Sequence, residues 1–407
     1  MMNILLINHY AGTPYLGMEY RPYYMAKEWT KLGHNVTIVA ASFSHLRLKQ
    51  PNVASSMFEE NIDGIRYVWL KTPKYSGNGI GRVYNILSFI YKLYQYLPKI
   101  TKDFKPNVVI ASSTYPLDIF PAHRISKRLN AKLIFEVHDL WPLSPMELGH
   151  MSSRHPFIQV MQFGEDYACK HADKIVSILP FTNKHLETRG MLPEKFVYIP
   201  NGINLEDWQI DDSELPEEHQ NFLQEHQGAF LVGYTGSHGL ANALHHLISA
   251  AVMLKDMNIH VVLVGQGPEK DNLIRLASEI GAHNVFFLPP ISKSKIPLWL
   301  KNMDCLFVGS LRIPLYRFGI SMNKLYDYMM SEIPIVSAIE AGNDPVSEAG
   351  CGISVQAENP QAIAEGVLKI YNMTLKQRCE MGKRGKQYVL QNHTYPYLAA
   401  KFLQAME

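Results

Sequence analysis

The sequence predicts an α/β protein built from two doubly wound, Rossmann-like domains facing a cleft. Three observations predict it. At 407 residues the chain is too long for a single core, and two domains of about 200 residues are the default. Short apolar, β-branched runs alternate with helical patterns, and each run ends in a glycine or polar turn. The alternation stops in an acidic stretch after residue 205 and restarts at residue 229, so one plan is used twice.

The first strand is NILLIN, residues 3–8; no basic leader precedes it, so it is not read as a signal peptide. The loop HYAGTPYLGMEYRP then leads to a helix over residues 22–32, stopped by Gly33, and to the strand NVTIVAA. That loop lacks GxGxxG, so a dinucleotide site has no support there. Gly12 and Gly17 would let its backbone approach a ligand closely, and Glu19 and Arg21 supply charge. IRYVWLKTP is the next strand, followed by the Gly-rich break SGNGIG. Residues 82–105 read as a helix with an apolar stripe from Val83 to Leu97, several tyrosines, and the basic residues Arg82, Lys92, Lys99, Lys102 and Lys105. Such a helix suits contact with an anionic inner membrane surface; a core-facing helix with snorkelling lysines is the plainer alternative. PNVVIAS is a strand, residues 121–129 a helix, and AKLIFEVHDLWP a strand ending in a turn. His138 and Asp139 therefore sit at the carboxyl end of a parallel strand, where open α/β sheets bind ligands. A helix over residues 157–171 and the strands ADKIVSILP and KFVYIPNGIN close this half, giving domain boundaries at 1–203 and 204–389.

Residues 205–228 are acidic and polar and read as linker or surface helix. The second half runs AFLVGYTGS, a helix over 243–254, IHVVLVGQGP, a helix to about Ile280, NVFFLPP, a helix over 296–301, and DCLFVGS. Gly233, Gly236, Gly239, Gly265 and Gly267 gather at strand-to-helix turns, as a phosphate-bearing ligand across that sheet edge requires. The stretch RFGISMNKLYDYMMSEIPIVS, residues 317–337, reads as a loop, a helix capped by Asn323 with Leu325, Tyr328 and Met329 inward, and a buried strand. A helix start offers free N–H groups and the positive end of the dipole to an anion. Lys324 and Asp327 are three apart and share a face, where a carboxylate could take two ribose hydroxyls. An ordinary crossover with a solvated Asp is the bland alternative. GISVQ, a helix over 360–371 and a long helical end complete the chain.

Composition narrows the classes. Residues 1–200 carry 23 Lys/Arg against 15 Asp/Glu, a net +8, while the whole chain is only +2. A basic first half points to an anionic partner, read as a membrane surface and not nucleic acid. Cys169, Cys305, Cys351 and Cys379 lie far apart without CxxC spacing, which suits a reducing, cytoplasmic compartment. No HExxH, GxSxG or Walker motif occurs, and no apolar run reaches the roughly 18 residues of a membrane span.

EVHDLWP, IPNGIN, GYTGSHG, LVGQGP, NKLYDYMMSEIPIVS and GHNVTIVA together resemble the GT-B glycosyltransferases of family 4, along nearly the whole chain. Within that family they are similar to the bacterial branch that builds O-antigen and capsule repeats, including L-fucosamine-type transferases. The resemblance implies a retaining transfer from a nucleotide sugar, UDP-linked, onto a lipid-linked or polysaccharide acceptor, with no cofactor and no metal. It implies that the second domain holds the donor and the first the acceptor, and that residues 390–407 pack back on the first domain. His138 would contact the donor sugar near the reacting carbon. Ser321, Met322 and Asn323 would cradle the diphosphate, Asp327 the ribose, and the main chain at Pro290 and Ile291 the base. The loop at Gly17, with Glu19, Arg21 and Asp139, would lie on the acceptor and diphosphate side. Two departures stand out. The family's E-x7-E pattern has Gly319 in place of its first acid, and the Arg and Lys expected after Gly236 are replaced by SHGLANALHH. Arg317 or Lys324 could supply the missing charge, and His238 a hydrogen bond. Competing readings are a non-hydrolysing sugar-nucleotide 2-epimerase and a catalytically silent nucleotide-sugar-binding protein.

Overall fold

A computed structural model describes residues 1–77, 79–209 and 214–407. Asn78, in the expected Gly-rich break, and residues 210–213, in the expected linker, lie outside the described residues. The chain divides into two compact units, Met1–Asn201 with Tyr395–Glu407, and Gly202–Thr394. The division thus falls slightly before residue 203, and residues 390–394 group with the second unit and not the first.

In the first unit the elements run β1 (Asn3–Ile7), α1 (Arg21–Lys31), β2 (Asn35–Ala41), β3 (Met57–Ile62), β4 (Ile65–Leu70), α2 (Ile80–Ile100) and β5 (Val108–Ala111). They continue with α3 (Ile119–Leu129), β6 (Lys132–Val137), α4 (Leu143–Glu147), α5 (Pro156–His171), β7 (Lys174–Ser177), α6 (Asn183–Thr188) and β8 (Phe196–Tyr198). The sheet order is β3-β4-β2-β1-β5-β6-β7-β8, parallel except for β3. The order reverses between β1 and β5, the place where doubly wound sheets open a crevice at their carboxyl ends. Sequence reasoning missed β3. It pairs with β4 through Asp63 and Gly64, both at positive φ (52° and 83°), the mirror-image turn that matches strand twist. Helix α2 also starts earlier than expected and ends at Ile100, just after Pro98, so Lys102 and Lys105 lie beyond it.

Parallel strands covered on both faces must be apolar on both, as NILLI and VVIA are. Ile4, Leu6, Ile38, Tyr67 and Ile110 form one core with α1 and the C-terminal helix α15 (Tyr395–Met406). The other face carries α2, packed on β4, and α3, packed on β5 and β6. Trp29 of α1 is fully buried, donates its indole N–H to the carbonyl of Ala399 at 3.1 Å, and meets Phe402 edge-on at 5.2 Å.

The second unit has α7 (Glu217–Glu225), which occupies part of the expected linker, then β9 (Phe230–Thr235), α8 (Leu244–Val252), β10 (Ile259–Val264) and α9 (Lys270–Glu279). There follow β11 (Val285–Leu288), α10 (Ile296–Leu300), β12 (Cys305–Gly309), α11 (Asn323–Met330), β13 (Ile335–Ala338), α12 (Pro345–Ala349), β14 (Gly352–Ser354), α13 (Pro360–Tyr371) and α14 (Leu375–Asn392). All strands are parallel in the order β11-β10-β9-β12-β13-β14, with the reversal between β9 and β12. Among the described residues, no helix is long and apolar enough to cross a membrane.

Replacing Trp29 by Ala removes a buried aromatic and its hydrogen bond to α15. The change is expected to cost about 3–5 kcal/mol in urea unfolding and to make α15 the first site of proteolytic cleavage.

Candidate functional site

Each unit gathers polar side chains at the carboxyl edge of its sheet, beside the strand-order reversal. In the second unit the edge is built around two glycine turns and the first turn of α11. A Cβ on Gly265 would run into the carbonyl oxygen of Gly236, so the turns after β9 and β10 interlock only as glycines. Helix α11 is pinned to the same place. The Tyr328 hydroxyl accepts the Thr235 N–H at 2.7 Å and donates to the Thr235 carbonyl at 3.2 Å.

That pinning brings Lys324 under Gly236, where a Cβ would lie 3.2 Å from its Cε and Nζ. Lys324 Nζ donates to the Tyr234 hydroxyl at 2.6 Å and to Asn242 Oδ1 at 3.0 Å, and lies 4.2 Å from the Tyr234 ring centroid. Tyr234 and the Asn242 amide in turn both donate to the Ser237 carbonyl, at 2.7 and 3.0 Å. Among the described residues no carboxylate pairs with Lys324, and burial pushes its ammonium down to about 7. Two of its three hydrogens are used; the third has no acceptor among the described residues. Buried polar atoms around it also lack protein partners: Thr235 Oγ1, both ring nitrogens of His238, and Ser310 Oγ beyond β12. His238 is fully buried, and burial, then Lys270 and Lys324, push it down to about 4, so the ring is neutral.

One turn along α11, Asp327 is half-buried. Burial pushes its carboxyl up to about 6, with Lys293 opposing, Asp207 adding, and a Trp208 hydrogen bond opposing. Lys293 and Asp207 pair at 2.6 Å. The remaining expected donor residues are placed differently from one another. Met322, not Asn323, is the N-cap of α11; Asn323 is exposed, is the first helical residue, and no side chain caps the helix. Asn323 therefore cannot act as the cap, because its side chain already lies inside the first turn. Ser321 Oγ lies 3.5 Å from the Tyr326 hydroxyl. Ile291 follows β11 and packs against the core of this unit. Arg317 is exposed, donates to the Pro314 carbonyl at 2.7 Å, and lies over Phe318 at 4.3 Å, so it is Lys324 that meets the glycine turn. Gly319 has φ 99° and ψ 178°, a backbone region open essentially to glycine alone.

In the first unit the edge is organised by a buried ion pair. Arg21 is 2% exposed and its Nε meets Glu136 Oε1 at 2.9 Å; its Nη1 and Nη2 donate to the carbonyls of Pro200 and Ile199 at 2.5 and 2.9 Å. Arg21 is thus an internal brace, with each of its three nitrogens donating within the protein. Burial alone would raise the Glu136 carboxyl. The Arg21 guanidinium and the His138 ring outweigh it and hold Glu136 well below the usual carboxylate range. Ionised Glu136 accepts the Ser112 hydroxyl at 2.6 Å and lies 3.2 Å from His138 Nε2, which is 2.9 Å from Ser112 Oγ. A carboxylate and a hydroxyl already donating to it both need a hydrogen from that nitrogen, so the proton sits on Nε2. Nδ1 is the lone-pair side, and a neutral His138 accepts there instead of donating.

Asp139 braces its own turn, accepting the Ser144 hydroxyl and the Trp141 indole N–H. Gly17 is buried against Leu48, with its N–H on the Thr13 carbonyl at 2.8 Å. Glu19 is half-buried, and its backbone ties to Tyr10 and Gly12. That loop closes on itself. Sequence reasoning missed Glu136 and Ser112, which set the His138 ring, and Tyr234 and Asn242, which hold Lys324. Among the described residues no group of three or more His, Cys, Asp or Glu is placed to hold a metal ion.

Two substitutions test these assignments. Gly319→Glu, which restores the expected acid, should destabilise the protein by about 1–3 kcal/mol in chemical unfolding, because the side chain must adopt a strained φ. Arg21→Ala should cost about 3–5 kcal/mol by stranding the Glu136 charge, whereas a surface arginine would cost under about 1.

Comparison with known proteins agrees with the architecture. The family described as Glycosyltransferase Family 4 matches residues 16–207, and that described as Glycosyl transferases group 1 matches residues 217–388. The chain is similar to the putative colanic acid biosynthesis glycosyl transferase WcaI of Escherichia coli (strain K12), 30% identical over 131 residues, 32% of each chain. It is also similar to the capsular polysaccharide biosynthesis glycosyltransferase CapM of Staphylococcus aureus, 26% identical over 224 residues, 52% of this chain and 56% of that one. The matched stretches thus span 32% and 56% of the length of these curated relatives. Among solved structures, Anabaena Alr3699/HepE in complex with UDP and glucose superposes with a TM-score of 0.67 at 15% identity, over 100% of this chain and 99% of that one. That likeness is one of fold, the GT-B fold. With a family match on each unit and that fold throughout, the chain belongs to the family 4 glycosyltransferases of the GT-B class.

Proposed function

We propose that this protein transfers a sugar, with retention, from a UDP-linked donor to a lipid-linked saccharide in the synthesis of a cell-surface polysaccharide. One observation carries the reading. An ammonium in the first turn of α11, with a spare hydrogen and no counter-ion among the described residues, lies under the glycine turn after β9, one turn from the half-buried carboxylate of Asp327. A diphosphate supplies the missing charge, and the ribose attached to it supplies hydroxyls to the carboxylate. The two curated relatives, named for colanic acid and capsule synthesis, support the polysaccharide reading, and the UDP complex of the Anabaena protein supports the choice of nucleotide.

In this mechanism the acceptor hydroxyl oxygen bonds to the donor's anomeric carbon on the face that the diphosphate leaves. The bond from that carbon to the phosphate oxygen breaks, and the hydroxyl proton passes to the departing oxygen. Lys324 and the N–H groups of the first turn of α11 stabilise the charge that develops there. His138 takes a donor-sugar hydroxyl proton into a hydrogen bond at Nδ1. Protein charge does the neutralising, so no metal is required.

Asp327→Ala should weaken UDP binding by about tenfold or more in calorimetry, the loss of hydrogen bonds to a charged acceptor. Unchanged affinity would remove Asp327 from the ribose site. At about pH 8 free Lys324 is mostly neutral, since burial holds it at about 7, whereas Asp327, at about 6, is already ionised. A bound diphosphate favours the ammonium, so binding should take up a proton, read as a dependence of the binding heat on buffer ionisation enthalpy. Lys324→Met should abolish that uptake. Transfer to a lipid-linked acceptor should be lost in His138→Ala. An epimerised nucleotide sugar formed without acceptor would instead favour the epimerase.

A further inference from the structure

Helix α2 has two apolar faces, and only one is used inside the first unit. Ile86, Phe89, Leu93, Leu97 and Ile100 are buried against it. On the opposite face Ile80, Tyr84, Leu87, Tyr91 and Tyr94 are spaced four, three, four and three residues apart, so they stack in one stripe. They are 88, 64, 52, 68 and 39% exposed. The stripe widens across neighbouring helices. α2 packs on α3 and α3 on α5, and on α5 Val160 and Phe163 are 50 and 63% exposed, Phe163 stacking on Phe120 of α3 at 5.6 Å. An exposed apolar stripe of this kind, with a second apolar patch one helix beyond α3, marks an interaction surface.

Charge identifies the partner. Lys92 and Lys99 of α2 and Arg124, Lys127 and Arg128 of α3 surround the stripe, and neither helix contains an Asp or Glu. The Arg124 guanidinium lies 5.7 Å from the Tyr94 ring centroid. Two copies of the chain meeting on this face would bring those cations together, and the acids of α5, Glu165 and Asp166, already pair with His185 and Arg189. A bilayer rich in anionic headgroups meets every element at once: apolar side chains enter the acyl boundary, phenols sit at headgroup level, and Lys and Arg face phosphate. The stripe also begins at the sheet edge. Arg82, in the first turn of α2, lies over Tyr10 at 5.7 Å and over Trp141 at 5.4 Å, and Trp141 belongs to the turn that follows His138.

We propose that the outer face of α2, with Val160 and Phe163 of α5 and the basic residues of α3, docks on an anionic lipid bilayer and presents the His138 edge to a lipid-linked acceptor. Its consequence for the acceptor rests on the transferase reading above; the docking itself does not.

The test is co-sedimentation of the full chain with vesicles of phosphatidylcholine alone or mixed with phosphatidylglycerol. The full chain should pellet with the mixed vesicles. Tyr84→Ser, Leu87→Ser and Tyr91→Ser combined, all exposed and so compatible with folding, should weaken binding about tenfold or more, and Arg124→Glu with Lys127→Glu should do the same. A full chain that stays in the supernatant, or a triple variant that pellets like the parent, overturns the proposal. So does a dimer that the triple variant converts to monomer with vesicle binding unchanged. UDP-induced thermal stabilisation is measured on the same samples. Lost vesicle binding with an intact UDP response in the triple variant upholds docking; vesicle binding by a full chain that ignores UDP upholds docking and overturns the donor reading alone.

Discussion

The constraint on which the second unit's edge depends is an ammonium held, among the described residues, without a counter-ion. Lys324 is fixed by Tyr234 and Asn242, which are themselves tied through the Ser237 carbonyl, so the charge cannot swing away to find a carboxylate. Burial with neutral partners is costly for a lysine, and its pull down to about 7 expresses that cost. Such a site becomes favourable when an anion arrives. The interlocked turns at Gly236 and Gly265 carry no side chains into it, and the Tyr328–Thr235 clasp keeps α11 from sliding.

The first unit solves the opposite problem. There the buried charge, Glu136, is fully paired with Arg21, and its surplus acceptor capacity orients Ser112 and His138. The pair is internal, but its effect reaches the surface by fixing which imidazole nitrogen carries the proton. The second unit's edge thus presents a cation and the first unit's edge an imidazole held in place by Glu136 and Ser112. The outer face of α2 belongs to the same unit, and in the proposed docking it would turn that edge toward lipid.

Most elements were legible in the sequence because parallel strands buried on both faces must be continuously apolar, and glycines mark where they end. β3 escaped because MFEENI sits at the sheet edge with Phe58, Glu59 and Asn61 exposed and carries no apolar run; the Asp63–Gly64 turn was its readable signal. Lys324 and Asp327 were legible as a pair because three residues of helix put them on one face. Their partners were not. Tyr234 and Asn242 lie 90 and 82 residues from Lys324, and Glu136 lies 115 from Arg21. An arginine opening a helix reads as solvated until its distant partner is known. Asn323 has the composition of a cap, but the chain enters the helix one residue earlier, at Met322. Gly319 was conspicuous as a missing acid; its backbone supplies the reason, a φ of 99° that an acid could hold only under strain.

The most direct test of the donor site is a crystal structure with UDP. The account predicts a β-phosphate within hydrogen-bond distance of Lys324 Nζ and of the first-turn N–H groups of α11, with the ribose hydroxyls on the Asp327 carboxylate. A nucleotide bound elsewhere, or bound with Lys324 still held only by Tyr234 and Asn242, would contradict it.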